Sequence, residues 1–139
     1  MKAYLLDVNV LIALAWPNHT EHNRVQEWFA NERRRGWATC LVTQLAFIRV
    51  SSNPAVPHHV SPSVAQRYLS EITALPDHSF WDEPEHGYAH ASFGSTMPRT
   101  STHQWVTDGY LATLALIHGG RLATLDKQLL RVFDHVVLV

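Results

Sequence analysis

Cys40 is the sole cysteine of the chain, which excludes an intramolecular disulfide and any cysteine-based zinc cluster. That scarcity suits a reducing compartment and points to the cytoplasm. Long apolar runs are also missing. Charges and prolines interrupt every stretch before the ~18 residues that span a bilayer, so no membrane association is expected. Neither sign of charge dominates: eleven Lys and Arg face twelve Asp and Glu, for a net charge of -1. A global basic field, the mark of many nucleic-acid binders, is therefore excluded, and any such contact must be local.

What is present describes one globular domain over residues 1–139. Hydrophobic residues make up 46% and charged residues 17%, richer in apolar character than a disordered chain. A chain of this length buries about two thirds of its unfolded surface and folds without covalent staples. The opening run LLDVNVLIALAW (residues 5–16) superficially resembles a signal peptide, but Asp7 and Asn9 interrupt it and no cleavage site follows Trp16. Burying Asp7 costs several kcal/mol unless a partner or a metal compensates its charge.

The pattern along the chain alternates strands and helices. AYLLD (3–7) reads as a buried strand and VNVLIALAW (8–16) as a helix capped by Asp7. Thr20 is placed to cap a helix over residues 21–35, ended by Gly36. WATCLV (37–42) fits a strand, TQLAFIRVSS (43–52) a helix closed at Asn53-Pro54, and Ser61 or Ser63 starts another helix to about Leu75. HSFWDE (78–83) fits a short strand. Residues 84–103 lack periodicity and read as a loop with one short helix. QWVTDGYLATLALIHGG (104–120) is a helix, RLATLD (121–126) a strand, KQLLRVF a short helix and VVLV (136–139) a last strand. This order predicts an α/β fold with a mainly parallel sheet covered by helices on both faces.

Ligand sites in such sheets lie at the carboxyl ends of the strands. Asp7 and Asp126 each end an apolar strand, and Asp108, near a helix start, faces the same edge if that helix crosses over to the strand of Asp126. Three converging carboxylates repel one another and call for a cation. Oxygen ligands favour Mg²⁺ or Mn²⁺, whose chemistry is phosphodiester hydrolysis. A lone Asp at a helix start is ordinarily a cap; three at junctions are harder to explain that way.

YLLDVNVLIAL, VTDGYLATLAL and LATLD, in this order, resemble the PIN-domain nucleases. CLVTQLAFIRVSSNPAV between them is similar to the VapC toxins of bacterial VapBC toxin–antitoxin modules. The resemblance covers nearly the whole chain and implies a PIN-like three-layer fold. It further implies that Asp7, Asp108 and Asp126 form a metal-binding, catalytic cluster, with Asn9 and Thr124 as polar supports. The expected activity is Mg²⁺- or Mn²⁺-dependent endoribonuclease action on tRNA or ribosomal RNA, blocked by a VapB-type antitoxin, with a homodimer as the assembly. One departure stands out: where the family has a glutamate, this chain has Gln44, which brings no charge and cannot act as a base. Asp82, Glu83 and Glu85 replace that acid only if their segment folds back over the site.

Other signals weigh less. His86 and His90 have the spacing of zinc-binding helical histidines but lack the accompanying glutamate. Arg49 and Arg99 are candidate contacts for RNA phosphates, whereas the Arg33–Arg35 run reads as a solvated helix end. Trp28 and Trp105 fit helix core faces; Trp16, Trp37 and Trp81 stay open between core and base stacking. Apolar stripes around residues 10–16 and 45–50 suit a dimer or an antitoxin peptide. Two rival functions remain: a noncatalytic PIN-like module disabled by Gln44, and an aspartyl-phosphate phosphatase with Asp7 as nucleophile. Asn9 in place of an acid, and lysines only at positions 2 and 127, count against the second.

Overall fold

The computed structural model describes residues 2–139. Strands β1 (Tyr4–Leu6), β2 (Trp37–Thr39), β3 (His78–Phe80), β4 (Arg121–Thr124) and β5 (Val136–Leu138) form one sheet in the order β3-β2-β1-β4-β5. Every pairing is parallel, so the sheet is wholly rather than mainly parallel. The side-chain period of two sends Tyr4 and Leu6 to one face and Leu5 to the other. Tyr4, Leu6, Trp37 and Ala123 pack with apolar residues of α1 (Val8–Ala15), α2 (His22–Glu32), α3 (Leu41–Ser51) and α4 (Pro62–Thr73). Leu5, Ala38 and Leu122 pack with those of α5 (Val106–Ile117) and α6 (Leu129–Val132). Burial on both faces explains why the central strands read as unbroken apolar runs.

Sheet order positions the site. The chain runs outward from β1 through β2 to β3, then returns to the other flank of β1 as β4. The reversal therefore falls between β1 and β4, and the region beyond their carboxyl ends is where open α/β sheets place their ligand sites. The Asp7 amide donates to the Ala123 carbonyl at 2.9 Å, locking the two strand ends together.

Element boundaries shift from the sequence expectations for local reasons. Strand β2 stops at Thr39 because Cys40 caps α3: the Thr43 hydroxyl accepts from the Cys40 amide at 3.0 Å, so the helix starts at Leu41. Thr20 does not cap α2. His19 Nδ1 accepts from the Glu21 amide at 3.0 Å, and the helix begins only at His22. Ser61, by contrast, caps α4, accepting from the Val64 amide at 3.2 Å. The aperiodic segment after residue 84 forms short 3₁₀ turns at Gly87–Ala89, Ala91–Gly94, Met97–Arg99 and His103–Trp105 rather than one helix. Buried Phe93 pins it to α5, its ring stacked on Tyr110 with centroids 5.7 Å apart.

The tryptophans are structural. Trp37 and Trp81 are buried, and Trp16 lies parallel to Phe47 while its indole N–H donates to Ser51 Oγ at 3.0 Å. Trp28 meets Tyr4 edge-on, and Trp105 packs against the α5 core. Among the described residues, no helix is long and apolar enough to cross a membrane.

Candidate active site

Asp7 sits between β1 and α1, 3% exposed. Its Oδ1 accepts from the Val8 amide at 2.7 Å, the cap that the sequence suggests. Its Oδ2 accepts from the Thr124 hydroxyl at 2.8 Å. Burial raises the Asp7 pKa above the ordinary carboxylate value and the charge of Asp126 adds to this, while the two hydrogen bonds oppose it.

Thr124, the last residue of β4, is the hub. Its hydroxyl donates to Asp7 and accepts from Asn9 Nδ2 at 3.2 Å and from the Asp126 amide at 3.1 Å, which uses its one proton and both lone pairs. Asn9 Oδ1 in turn accepts from the Leu125 amide at 3.1 Å, and Asp126 Oδ1 from the Gln128 amide at 2.9 Å. Replacing Thr124 by the near-isosteric Val removes all three bonds of the hub. Thr124→Val is expected to lower thermal stability by about 1–3 kcal/mol and RNA cleavage by about 10–100-fold, checked by melting curves and initial rates on one RNA.

Asp108 projects from the first turn of α5 and is half-buried. Its pKa rises from 3.8 to about 6, first through burial and then through the charges of Asp7 and Asp126. The three aspartates thus feel one another electrostatically. None is ion-paired to a Lys or Arg among the described residues; the ion pairs there involve other acids. Uncompensated oxygen donors suit a hard divalent cation. Among the described residues no three Asp, Glu, His or Cys side chains stand at metal-ligand spacing.

The remaining candidates scatter. Gln44 turns its amide to Thr39 Oγ1 at 3.0 Å, and that hydroxyl also bonds His78 Nε2 at 2.9 Å. This small chain was invisible in the sequence because its members lie on three separate elements. Arg49 is exposed on α3. Arg99 is held by Asp134 at 2.8 Å, beside the later turns of α5. His86 and His90 flank a 3₁₀ turn, not an α-helix, and His90 Nδ1 accepts from the Ser92 amide at 3.2 Å. The four-residue spacing therefore does not align them on one face, and the zinc reading falls. Glu83 approaches Cys40 and Tyr110 electrostatically; the charges that raise Asp108 are those of Asp7 and Asp126.

A parallel sheet reversing at its first strand, with acids gathered beyond the reversal, defines a PIN-type fold. The VapBC2 complex from Rickettsia felis, solved with a promoter DNA fragment, shares it at a TM-score of 0.67 and 14% identity, over 99% of this chain and 97% of that one. No protein-family model matches the chain. Ribonuclease VapC39 of Mycobacterium tuberculosis is 41% identical over 126 residues, 90% of this chain and 89% of the relative. Ribonuclease VapC38 of the same organism is 40% identical over 123 residues, 88% and 84% of the two chains. The chain belongs to the VapC ribonuclease family, the toxins of VapBC modules. The phosphatase alternative is thereby set aside.

Proposed function

We propose that the chain hydrolyses RNA phosphodiester bonds, in tRNA or ribosomal RNA, at a site where Asp7, Asp108 and Asp126 together hold Mg²⁺ or Mn²⁺. The observation that carries this reading is that Asp7 and Asp126 follow the carboxyl ends of β1 and β4 and Asp108 opens α5, with no Lys or Arg paired to any of them among the described residues. Burial first, and then the charges of Asp7 and Asp126, push Asp108 up to about 6, and acids without a counter-charge fit a divalent cation. When bound, such an ion polarises a phosphoryl oxygen and acidifies a water molecule. Asp7 is held rigid by Val8 and Thr124, Asp126 by Gln128, and Asn9 and Thr124 keep the two strand ends in register. Asp108 closes the ring of charge from the opposite helix.

Gln44 acts as a neutral support through Thr39, so three aspartates carry the negative charge. Arg49 is exposed and outside the ion pairs among the described residues and so is open to an RNA phosphate, whereas Arg99 already serves Asp134. Leu41 and Leu45 on α3 are 43% and 56% exposed, an apolar stripe suited to a second copy or to a VapB-type antitoxin. The protein then acts in the cytoplasm until the antitoxin covers the site.

A direct test incubates the purified chain with end-labelled tRNA. Cleavage is expected with Mn²⁺ or Mg²⁺, to vanish in EDTA and to return on adding back the ion. Undiminished cleavage in EDTA overturns the metal assignment.

A further inference from the structure

We infer that the cavity between the first turns of α3 and α5 is a base-selecting subsite that takes a guanine of the RNA, stacked on Tyr88 and read by the Glu83 carboxylate; this rests on the nuclease reading above. The cavity measures about 420 Å³ and is lined by Val42, Glu83, Tyr88, Val106 and Tyr110 among others, within the ~300–1,000 Å³ typical of small-ligand pockets. Val42 stands in the first turn of α3, just beyond the carboxyl end of β2, and Val106 and Thr107 stand in the first turn of α5, the turn that also carries Asp108. The cavity thus opens at the same carboxyl edge of the sheet as the three aspartates, on the face of α5 that Val106 and Tyr110 share and Asp108 does not, and an RNA strand crossing that edge meets both.

Tyr88 is a large aromatic left 48% exposed yet held in place. Its ring centroid lies 4.7 Å from Phe93 and 5.8 Å from Tyr110, and its hydroxyl donates to the Val106 carbonyl at 3.5 Å. A fixed, solvent-facing ring is a platform for an unpaired base. Glu83 supplies the reading group. It is exposed, it takes part in no ion pair among the described residues, and its charge reaches the Tyr110 hydroxyl in the pocket wall.

A carboxylate repels phosphate, so the occupant of this cavity is a base and not the backbone. Ionised, it only accepts hydrogen bonds. Guanine offers two adjacent donors on its Watson–Crick edge, N1–H and the N2 amino group, which match the two carboxylate oxygens. Adenine and cytosine set one amino group beside a ring nitrogen acceptor that the carboxylate repels, and uracil sets one N–H between two carbonyls.

The test uses short single-stranded RNAs with one guanine, cut by the wild-type chain with Mn²⁺ and, in parallel, bound in EDTA. Inosine, which lacks the N2 amino group, is expected to lower both cleavage and binding about tenfold, whereas 7-deazaguanine leaves them unchanged. Glu83→Gln is expected to erase the guanine preference, so that guanine and inosine RNAs are cut and bound alike. Tyr88→Ala weakens binding about tenfold and Tyr88→Phe restores it. Equal handling of guanine and inosine, or an intact preference in Glu83→Gln, overturns the subsite and leaves the nuclease reading standing. Conversely, undiminished cleavage by Asp108→Asn defeats the three-aspartate site on which the nuclease reading stands, and the EDTA binding comparison still decides whether guanine is recognised.

Discussion

Asp108→Asn is expected to abolish RNA cleavage while making the metal-free protein more stable. Loss of a preorganised charge at a reacting centre costs about 10²–10³-fold in rate, and the lost group is one of the three acids proposed to share the ion. The stability effect follows from linkage. The folded-state pKa of Asp108 lies near 6, above its ordinary value of 3.8, so the folded protein holds this proton more tightly than the unfolded chain. Its contribution is complete below the unfolded value and is lost as pH rises through about 6. At pH 7 the ionised side chain therefore destabilises the metal-free fold. A shift of this size corresponds to about 3 kcal/mol in full, and solvent screening of a half-exposed group reduces that to about 1 kcal/mol. The asparagine variant should melt about 3 °C higher at pH 7, and the gain should shrink towards pH 4. Lower stability together with lost activity would mean that Asp108 holds the fold and does not serve the site.

The second large effect concerns Gly120→Ala. A Cβ at Gly120 would lie 2.6 Å from the Ala3 carbonyl oxygen and 2.6 Å from Trp81 Cη2. The tryptophan is buried and the carbonyl already accepts from the Arg121 amide at 3.0 Å, so neither yields cheaply. Overpacking of this severity costs about 3 kcal/mol, or about 10 °C in melting temperature. Activity should also fall, because the residue adjoins the β1–β4 seam on which the Asp7–Thr124 contact depends. Gly94→Ala is the control: a Cβ there meets nothing within 4 Å, and its melting curve should match the wild type. A Gly120→Ala variant that melts with the wild type would refute this packing constraint.

Legibility in the sequence followed the physics of each element. Asp7 was readable because a carboxylate inside an apolar strand-to-helix junction demands a cause, and both a cap and a cluster answer it. The parallel sheet was readable from unbroken apolar strands separated by helices. The ends were less so: Cys40 gave no sign that Thr43 would cap its amide and start α3 early, and His19 took the place intended for Thr20. The sequence also placed Asp126 at a strand end, whereas β4 stops at Thr124 and the acid follows on the turn. Residues 84–103 were opaque because 3₁₀ turns leave no 3.6-residue period. The pocket of Glu83 and Tyr88, made by that segment closing on α5, was therefore hidden as well. The resemblance supplied the roles of Asn9 and Thr124, and the structure adds the hydrogen bonds that give those roles a mechanism.

Manganese titration calorimetry on the wild-type chain and on Asp7→Asn and Asp108→Asn most directly tests whether one divalent ion is shared by distant parts of the fold. Saturable uptake is expected in the wild type, strengthening as pH rises through 6, with each variant losing most of it. Uptake that survives both substitutions, or none in the wild type, would contradict a shared metal site at the end of the sheet.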